Sequence, residues 1–357
     1  MKIITVIGAR PQFIKAAVVS RAIQQIARQG VNIQESILHT GQHYDYTMSE
    51  LFFRQLHLPE PQWHLNCGND IVQMRQAITP ILDAERPDIV LVYGDTYSTL
   101  AGATTAHALH IPVAHIEAGL RSFNNTMPEE RNRIETDKIA TWLFCPTKTA
   151  VDNLHKEGYT DGIYHVGDVM YDAALTFTPD KKEQDKILKK YNVSSKHFIL
   201  ATIHRAATAD NVEALMQIFT AFAQIKSTIL LPLHPHTAKT IANSLPLQHL
   251  VKEANNVHII EPVGYIDTLT LEHHAQYIMT DSGGMQKEAY FQRTPCITLR
   301  NETEWIETIQ AGWNRLAGTD TDSILQALSA PFDPQPIDEY GDGHASEKII
   351  TKLLNNP

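Results

Sequence analysis

The sequence predicts an α/β protein of two Rossmann-type domains with parallel sheets around a cleft. Short β-branched and apolar runs alternate with stretches of helical spacing along the whole chain, the signature of strand–helix–strand units. The runs are apolar throughout and do not alternate with polar residues, as expected of strands covered on both faces. Ten such runs are too many for one small doubly wound sheet, and 357 residues leave room for about two domains.

In the first half the strands are expected at 3–7, 36–39, 88–92, 113–116 and 142–145, with helical spacing over 13–27 and 98–109. The divide falls in the polar segment 176–197, where Lys181-Lys182-Glu183-Gln184-Asp185-Lys186 stands among few apolar residues. Strands then resume at 198–203, 228–233, 257–260, 277–279 and 296–299, with a helix over 212–225. The expected domains are 1–175 and 176–335. Pro331, Pro334 and Pro336 mark a link to a final segment, 336–357. Its apolar helix, 346–354, is free to pack on either domain, and the N-terminal domain is the expected partner.

Composition narrows the function. With 43% apolar residues the chain can bury real cores. Lys and Arg number 30 against 40 Asp and Glu, a net charge of −10. That argues against a broad grip on nucleic acid or an anionic membrane surface, but leaves room for a small anion held by a few local cations. Cys67, Cys145 and Cys296 lie far apart without CxxC spacing, which excludes a disulfide framework or a cysteine zinc site and fits a reducing cytoplasm. No apolar run is long enough for a bilayer span.

In open parallel sheets ligands bind beyond the carboxyl ends of strands, and nearly every strand here ends in polar residues. Gly8-Ala9-Arg10-Pro11 leads into a helix that carries Lys15 one turn later; two cations at a strand end suit a diphosphate. A solvated Lys15 is the plain alternative. Asp95 and Glu117 end consecutive strands. Glu129 and Glu130 follow Pro128 in the first turn of a helix, where acids also simply complement the helix dipole. Carboxylates confined together divide acid and base roles.

In the second half, Thr280-Asp281-Ser282-Gly283-Gly284 opens a helix expected to begin near Met285. Adjacent glycines permit close backbone approach, and free N–H groups at a helix start favour an anion such as a diphosphate. Glu288, one turn in on the face of Gly284, is placed to meet a ribose diol. The segment lacks both the GxGxxG of dinucleotide binders and the GxxxxGK[ST] of P-loops, so NAD is not expected. His204-Arg205 ends the first strand of this half, and His234 and His236 flank Pro235 at another strand end. No HExxH or matched acid accompanies them, so no metal is expected. Of the 18 histidines, those in helical stretches, such as His107, His110, His155, His273 and His274, read as surface or packing residues.

Taken in order, Gly8-Ala9-Arg10-Pro11 with Lys15, Thr40-Gly41-Gln42-His43, Gly94-Asp95, Glu117-Ala118-Gly119-Leu120-Arg121, Pro128-Glu129-Glu130, Asn132-Arg133, Thr202-Ile203-His204-Arg205 and Asp281-Ser282-Gly283-Gly284 resemble the non-hydrolysing UDP-N-acetylglucosamine 2-epimerase family over nearly the whole chain. The resemblance implies a GT-B-like fold, usually a cytoplasmic homodimer, that inverts C2 of a UDP-2-acetamido sugar without NAD or metal, for surface polysaccharides such as O-antigen. A base removes the C2 proton while UDP leaves C1, and the 2-acetamidoglucal takes back UDP and a proton on its other face. By motif, Asp95, Glu117 and Glu130 do acid/base work, the first base being any of the three, and His204 assists. Arg10, Lys15, Ser282, Gly283 and Gly284 hold phosphate, and Glu288 the ribose; His234, from its place at a strand end, is a further candidate for binding substrate.

The chain also departs from the commonest pattern of that family. Gln12-Phe13 stands where Glu-Ala is usual, and Ala206-Ala207-Thr208 where many bacterial members have Arg-Glu-Asn, whose Arg serves an allosteric site. Trp305, in Arg300-Asn301-Glu302-Thr303-Glu304-Trp305, replaces a substrate-contacting Arg. With Gln286-Lys287-Glu288-Ala289, these resemble the branch that acts on UDP-2,3-diacetamido-2,3-dideoxyglucuronate. The alternatives are a GT-B glycosyltransferase and a non-catalytic UDP-sugar sensor. A dehydrogenase reading is weaker than either, since the nicotinamide fingerprint is missing.

Overall fold

A computed structural model describes residues 1–42 and 53–355. The chain divides into two compact units: residues 1–176 with 338–357, and residues 177–337. His43 lies outside the described residues.

Unit 1 holds a seven-stranded, fully parallel sheet in the order β3-β2-β1-β4-β5-β6-β7. Its strands are β1 (Lys2–Ile7), β2 (Gln34–His39), β3 (Trp63–His64), β4 (Ile89–Tyr93), β5 (Val113–Ile116), β6 (Trp142–Cys145) and β7 (Ile163–His165). Every residue of β4, β5 and β6 is buried, as helices on both faces require. Unit 2 has six parallel strands in the order β10-β9-β8-β11-β12-β13. They are β8 (Phe198–Thr202), β9 (Thr228–Pro232), β10 (Val257–Ile260), β11 (Tyr277–Thr280), β12 (Cys296–Thr298) and β13 (Asn314–Leu316). Alternate residues of these strands enter two cores: Ile199, Ala201, Ile229, Leu231, Met279 and Ile297 on one face, Phe198, Leu200, Leu230, Ile278 and Cys296 on the other. That is the two-residue period of a strand covered on both sides.

The thirteen strands among the described residues exceed the ten expected. The three additions, β3, β7 and β13, are two- or three-residue edge strands, too short to show a pattern in sequence. The polar segment 176–197 is also more structured than its composition suggests. It contains the helix Lys181–Lys190, capped by Asp180, whose side chain accepts from the Glu183 amide, and anchored by the buried Ile187 and Leu188. The final helix, Ala345–Asn355, belongs to unit 1 and packs against the helix Arg10–Arg28. Its Ile349, Ile350 and Leu353 are fully buried. The Asp172 carboxylate caps it by accepting from the amides of Ala345 and Ser346, at 3.1 and 2.7 Å.

In each sheet the strand order reverses once, between β1 and β4 in unit 1 and between β8 and β11 in unit 2. Such a switch point leaves a crevice at the carboxyl ends of the two flanking strands. The four segments that follow those strands are Gly8-Ala9-Arg10, Gly94-Asp95, His204-Arg205 and Asp281-Ser282-Gly283.

Candidate active site

Unit 1 carries the carboxylates. Tyr93, the last residue of β4, is paired with Ile116, the last of β5, so the turns bearing Asp95 and Glu117 are neighbours. Both turns run through left-handed backbone, with φ of 64° at Gly94 and 75° at Glu117. A non-glycine residue there is strained, a condition that concentrates at functional sites. The Asp95 side chain is 29% exposed and accepts from Arg133 Nη2 at 2.6 Å. Its backbone carbonyl accepts from Asn132 Nδ2 at 2.8 Å. The Glu117 carboxylate is paired with Lys15 Nζ, and both are largely buried. A Cβ at Gly94 would stand 3.1 Å from Glu117 Oε2 and 3.3 Å from Lys15 Nζ, so a larger residue at this left-handed position would press on the ion pair.

Lys15 is therefore not the solvated lysine of the plain alternative: it is ion-paired with the Glu117 carboxylate. Glu130 is 1% exposed, and its carboxylate bonds inward. It accepts from the Ser122 amide and hydroxyl (2.9 Å each), the Phe123 amide (3.0 Å) and Arg133 Nη1 (2.7 Å). Arg133 thus bridges Glu130 and Asp95. Arg10 is the first residue of its helix, whose Ala9 N-cap turn is tied down by Gln12. The Gln12 Oε1 accepts from the Gly8 and Ala9 amides at 2.8 and 3.0 Å, and its Nε2 donates to the Tyr93 carbonyl at 3.0 Å. The glutamine that departs from the commonest pattern ties the turn after β1 to the end of β4.

Unit 2 carries the glycine-led helix and the histidine-bearing strand ends. The helix over Gly283–Phe291 starts two residues earlier than expected, because Ser282 is its N-cap and the Ser282 hydroxyl accepts from the Met285 amide. Asp281, fully buried, accepts from the amides of His204 (3.1 Å) and Arg205 (2.9 Å), and so joins the ends of β8 and β11. Arg205, a quarter exposed, has its Nη2 3.3 Å from where a Gly283 Cβ would stand and 3.9 Å from Glu304. Glu288 lies on the face of Gly284, its Oε2 3.9 Å from a Cβ built there. The His204 side chain is 41% exposed and its ring lies 5.9 Å from that of His234. His234 caps the helix Pro235–Ala242, its Nδ1 accepting from the His236 amide at 3.2 Å. His236 instead faces Asp210 at 2.5 Å. Trp305 is buried beneath Lys287, whose Nζ lies 4.3 Å from the ring centroid, a cation–π contact.

Thus Lys15, Asp95, Glu117 and Glu130 come together in unit 1, and His204, His234, Ser282, Gly283, Gly284 and Glu288 surround the switch point of unit 2. Arg133, Asp281, His115 and Asp137 also bond to these turns, beyond the residues expected from the sequence. For His115 a signal existed: one polar residue in the otherwise apolar, fully buried strand Val113–Ile116.

A sequence profile described as UDP-N-acetylglucosamine 2-epimerase matches residues 24–354. The chain belongs to the UDP-N-acetylglucosamine 2-epimerase family. The profile match begins after Arg10 and Lys15, but full-length relatives of the family cover them. The chain is 45% identical to the UDP-2,3-diacetamido-2,3-dideoxy-D-glucuronate 2-epimerase of Pseudomonas aeruginosa, over 99% of each chain. It is 47% identical to a UDP-N-acetylglucosamine 2-epimerase homolog of Methanococcus maripaludis, over 99% of this chain and all of the other. The UDP-GlcNAc 2-epimerase of Methanocaldococcus jannaschii, solved in complex with UDP-GlcNAc and UDP, superposes with a TM-score of 0.89 at 37% identity over the full length of both. Two parallel-sheet α/β units with these epimerases as structural neighbours make the fold GT-B-like.

Proposed function

We propose that the chain is a non-hydrolysing C2 epimerase of a UDP-2-acetamido sugar. The observation that carries the reading is the pair Asp95 and Glu117 on adjacent strand ends, each beside its own cation, Arg133 and Lys15. One group of the site takes the C2 proton as the C1–O bond to UDP breaks and the C1=C2 bond of the glycal forms. UDP then re-adds at C1, and a proton is delivered to the opposite face of C2. Which of Asp95 and Glu117 acts first depends on the face of the sugar. Glu130, buried and fully bonded, acts through Arg133 and the 122–123 turn. The helix that starts at Gly283, with Arg205 beside it, offers N–H groups and charge to stabilise UDP as leaving group. Arg10 adds a cation for the diphosphate, His204 and His234 polar groups for the substrate, and Glu288 an acceptor for the ribose.

The substrate we favour is UDP-2,3-diacetamido-2,3-dideoxyglucuronate, supported by the Pseudomonas relative and by Gln12 and Trp305; the second reading is UDP-GlcNAc, supported by the Methanocaldococcus structure. The proposal extends to a cytoplasmic homodimer serving surface-polysaccharide synthesis, such as O-antigen, as the family resemblance implies. Incubation with each sugar in D₂O, followed by NMR, tests it. Deuterium at C2 and a new epimer, with no acceptor added, are expected from at least one. Neither from both sugars overturns the reading, and turnover only with an added acceptor points to a glycosyltransferase.

A further inference from the structure

We propose that His115 and Asp137 are positioning residues that clamp the Asp95 and Glu117 turns into one geometry. The proposal rests on the reading of Asp95 and Glu117 as the acid/base pair. His115 and Asp137 are both 0% exposed, so neither meets substrate. The His115 Nε2 lies 2.7 Å from the carbonyl oxygen of Gly94, the residue before Asp95. A carbonyl only accepts, so Nε2 carries a proton. The Nδ1 lies 2.7 Å from Asp137 Oδ1.

The other Asp137 oxygen accepts from the Gly119 amide at 3.2 Å and from Arg121 at 2.8 Å. Arg121 is itself gripped by Glu157 at 2.7 and 2.8 Å. Burial alone would push the Asp137 carboxyl up, but the His115 ring and Arg121 bring it below the usual carboxylate range. As a carboxylate it accepts from Nδ1, and both ring nitrogens then donate.

The clamp therefore runs from Gly94, through His115 and Asp137, to Gly119. It pins one turn just before Asp95 and the other just after Glu117. Both turns are left-handed, with φ of 64° at Gly94, 75° at Glu117 and 78° at Gly119. Of the three only Glu117, a non-glycine residue, is strained, and such strain persists only where the surroundings over-determine it. The amides of Glu117 and Ala118 both bond the Phe144 carbonyl, at 3.0 and 3.1 Å, which fixes the start of the turn. Asp137 fixes its end. Catalytic groups held within a fraction of an ångström lose rate when a supporting group is removed, even where substrate binding is untouched.

Asp137→Asn and His115→Gln, with Thr136→Val as a buried neighbour outside the clamp, test this. The expected result is a kcat, and a rate of C2 deuterium wash-in, at least about tenfold lower in the two clamp variants. Their KM and their calorimetric affinity for UDP should stay within about threefold of wild type. Thr136→Val should keep wild-type kcat. Clamp variants that melt earlier but turn over at the wild-type rate well below their melting point overturn the proposal. So do variants that lose UDP binding in parallel with kcat. If both clamp variants fail to fold, wild-type protein labelled with ¹⁵N-histidine decides: one ring with two slowly exchanging N–H protons is expected, and its absence overturns the clamp. Wild-type enzyme that washes no deuterium into either sugar refutes the epimerase reading instead and leaves the hydrogen-bond assignment to the NMR.

Discussion

Arg133 donates to Asp95 through Nη2 at 2.6 Å while its Nη1 holds the buried Glu130 at 2.7 Å. One guanidinium thus serves a partly buried carboxylate and a hidden one, a geometry that a point-like ammonium on a flexible stem does not reproduce. Replacing Arg133 by Met leaves Glu130 buried without its counter-ion, at a cost of about 3–5 kcal/mol in stability. Freed from its partner, Asp95 is displaced, and kcat is expected to fall by about a hundredfold. Arg133→Lys should recover part of the stability and little of the rate. Thermal melts and steady-state kinetics on the two variants separate the effects.

Gly94→Ala combines left-handed backbone with a filled space, since the new methyl would press on Glu117 Oε2 and Lys15 Nζ. Gly158 provides the control. Its φ is +93°, but nothing lies within 4 Å of a Cβ there. Both alanine variants pay the backbone strain of roughly 1–2 kcal/mol; only Gly94→Ala is expected to lose activity, by at least about tenfold. Equal kcat values would show that the ion pair does not need this space.

Glu272 is fully buried near Glu288, and neither of its carboxylate oxygens has a hydrogen-bond partner among the described residues. Burial first, and the Glu288 charge second, push its carboxyl well above the usual range. The folded state then holds the proton more tightly than the unfolded chain. The stability this confers is complete below the ordinary value of 4.5 and is lost as pH rises through the folded value, by about 1.4 kcal/mol per pH unit between the two. Glu272→Gln removes that titration. Melting curves should place the variant level with wild type near pH 4.5 and above it near pH 8; a constant gap at all pH values would refute the assignment.

The three cysteines are all buried and unpaired with one another. Burial pushes the Cys296 thiol up to about 12, with the Glu272 charge adding to it against a lowering hydrogen bond from Thr298. Cys145 is pushed higher still by burial. Because the thiolate is the reactive form, native protein at pH 8 should take up essentially no iodoacetamide at these two positions, and all three cysteines should label in denaturant. Mass spectrometry of the digests reads this directly.

The alternation of apolar runs made the two parallel sheets legible, because strands buried on both faces need only be apolar and the residues that follow them need not be. The carboxylates and the glycine-led helix were legible for a related reason: chemistry at strand ends stands out against apolar strands. What stayed hidden was the pairing. No spacing rule joins Lys15 to Glu117 or Arg133 to Asp95 across 102 and 38 positions, since such contacts follow from strand order, which the chain does not spell out. Ser282 as a cap moved the helix start by two residues, a shift within ordinary end ambiguity. Gln12 read as a family marker until its four polar bonds showed a structural brace.

The helix Ala345–Asn355 covers the helix that bears Arg10 and Lys15, yet the whole of unit 2 separates them in the chain. On the ribosome, unit 1 therefore emerges with an apolar flank open and must wait through the synthesis of some 160 further residues (177–337) before its own sequence can seal it. The unit that holds the Asp95 and Glu117 turns is thus sealed only after unit 2 has been made.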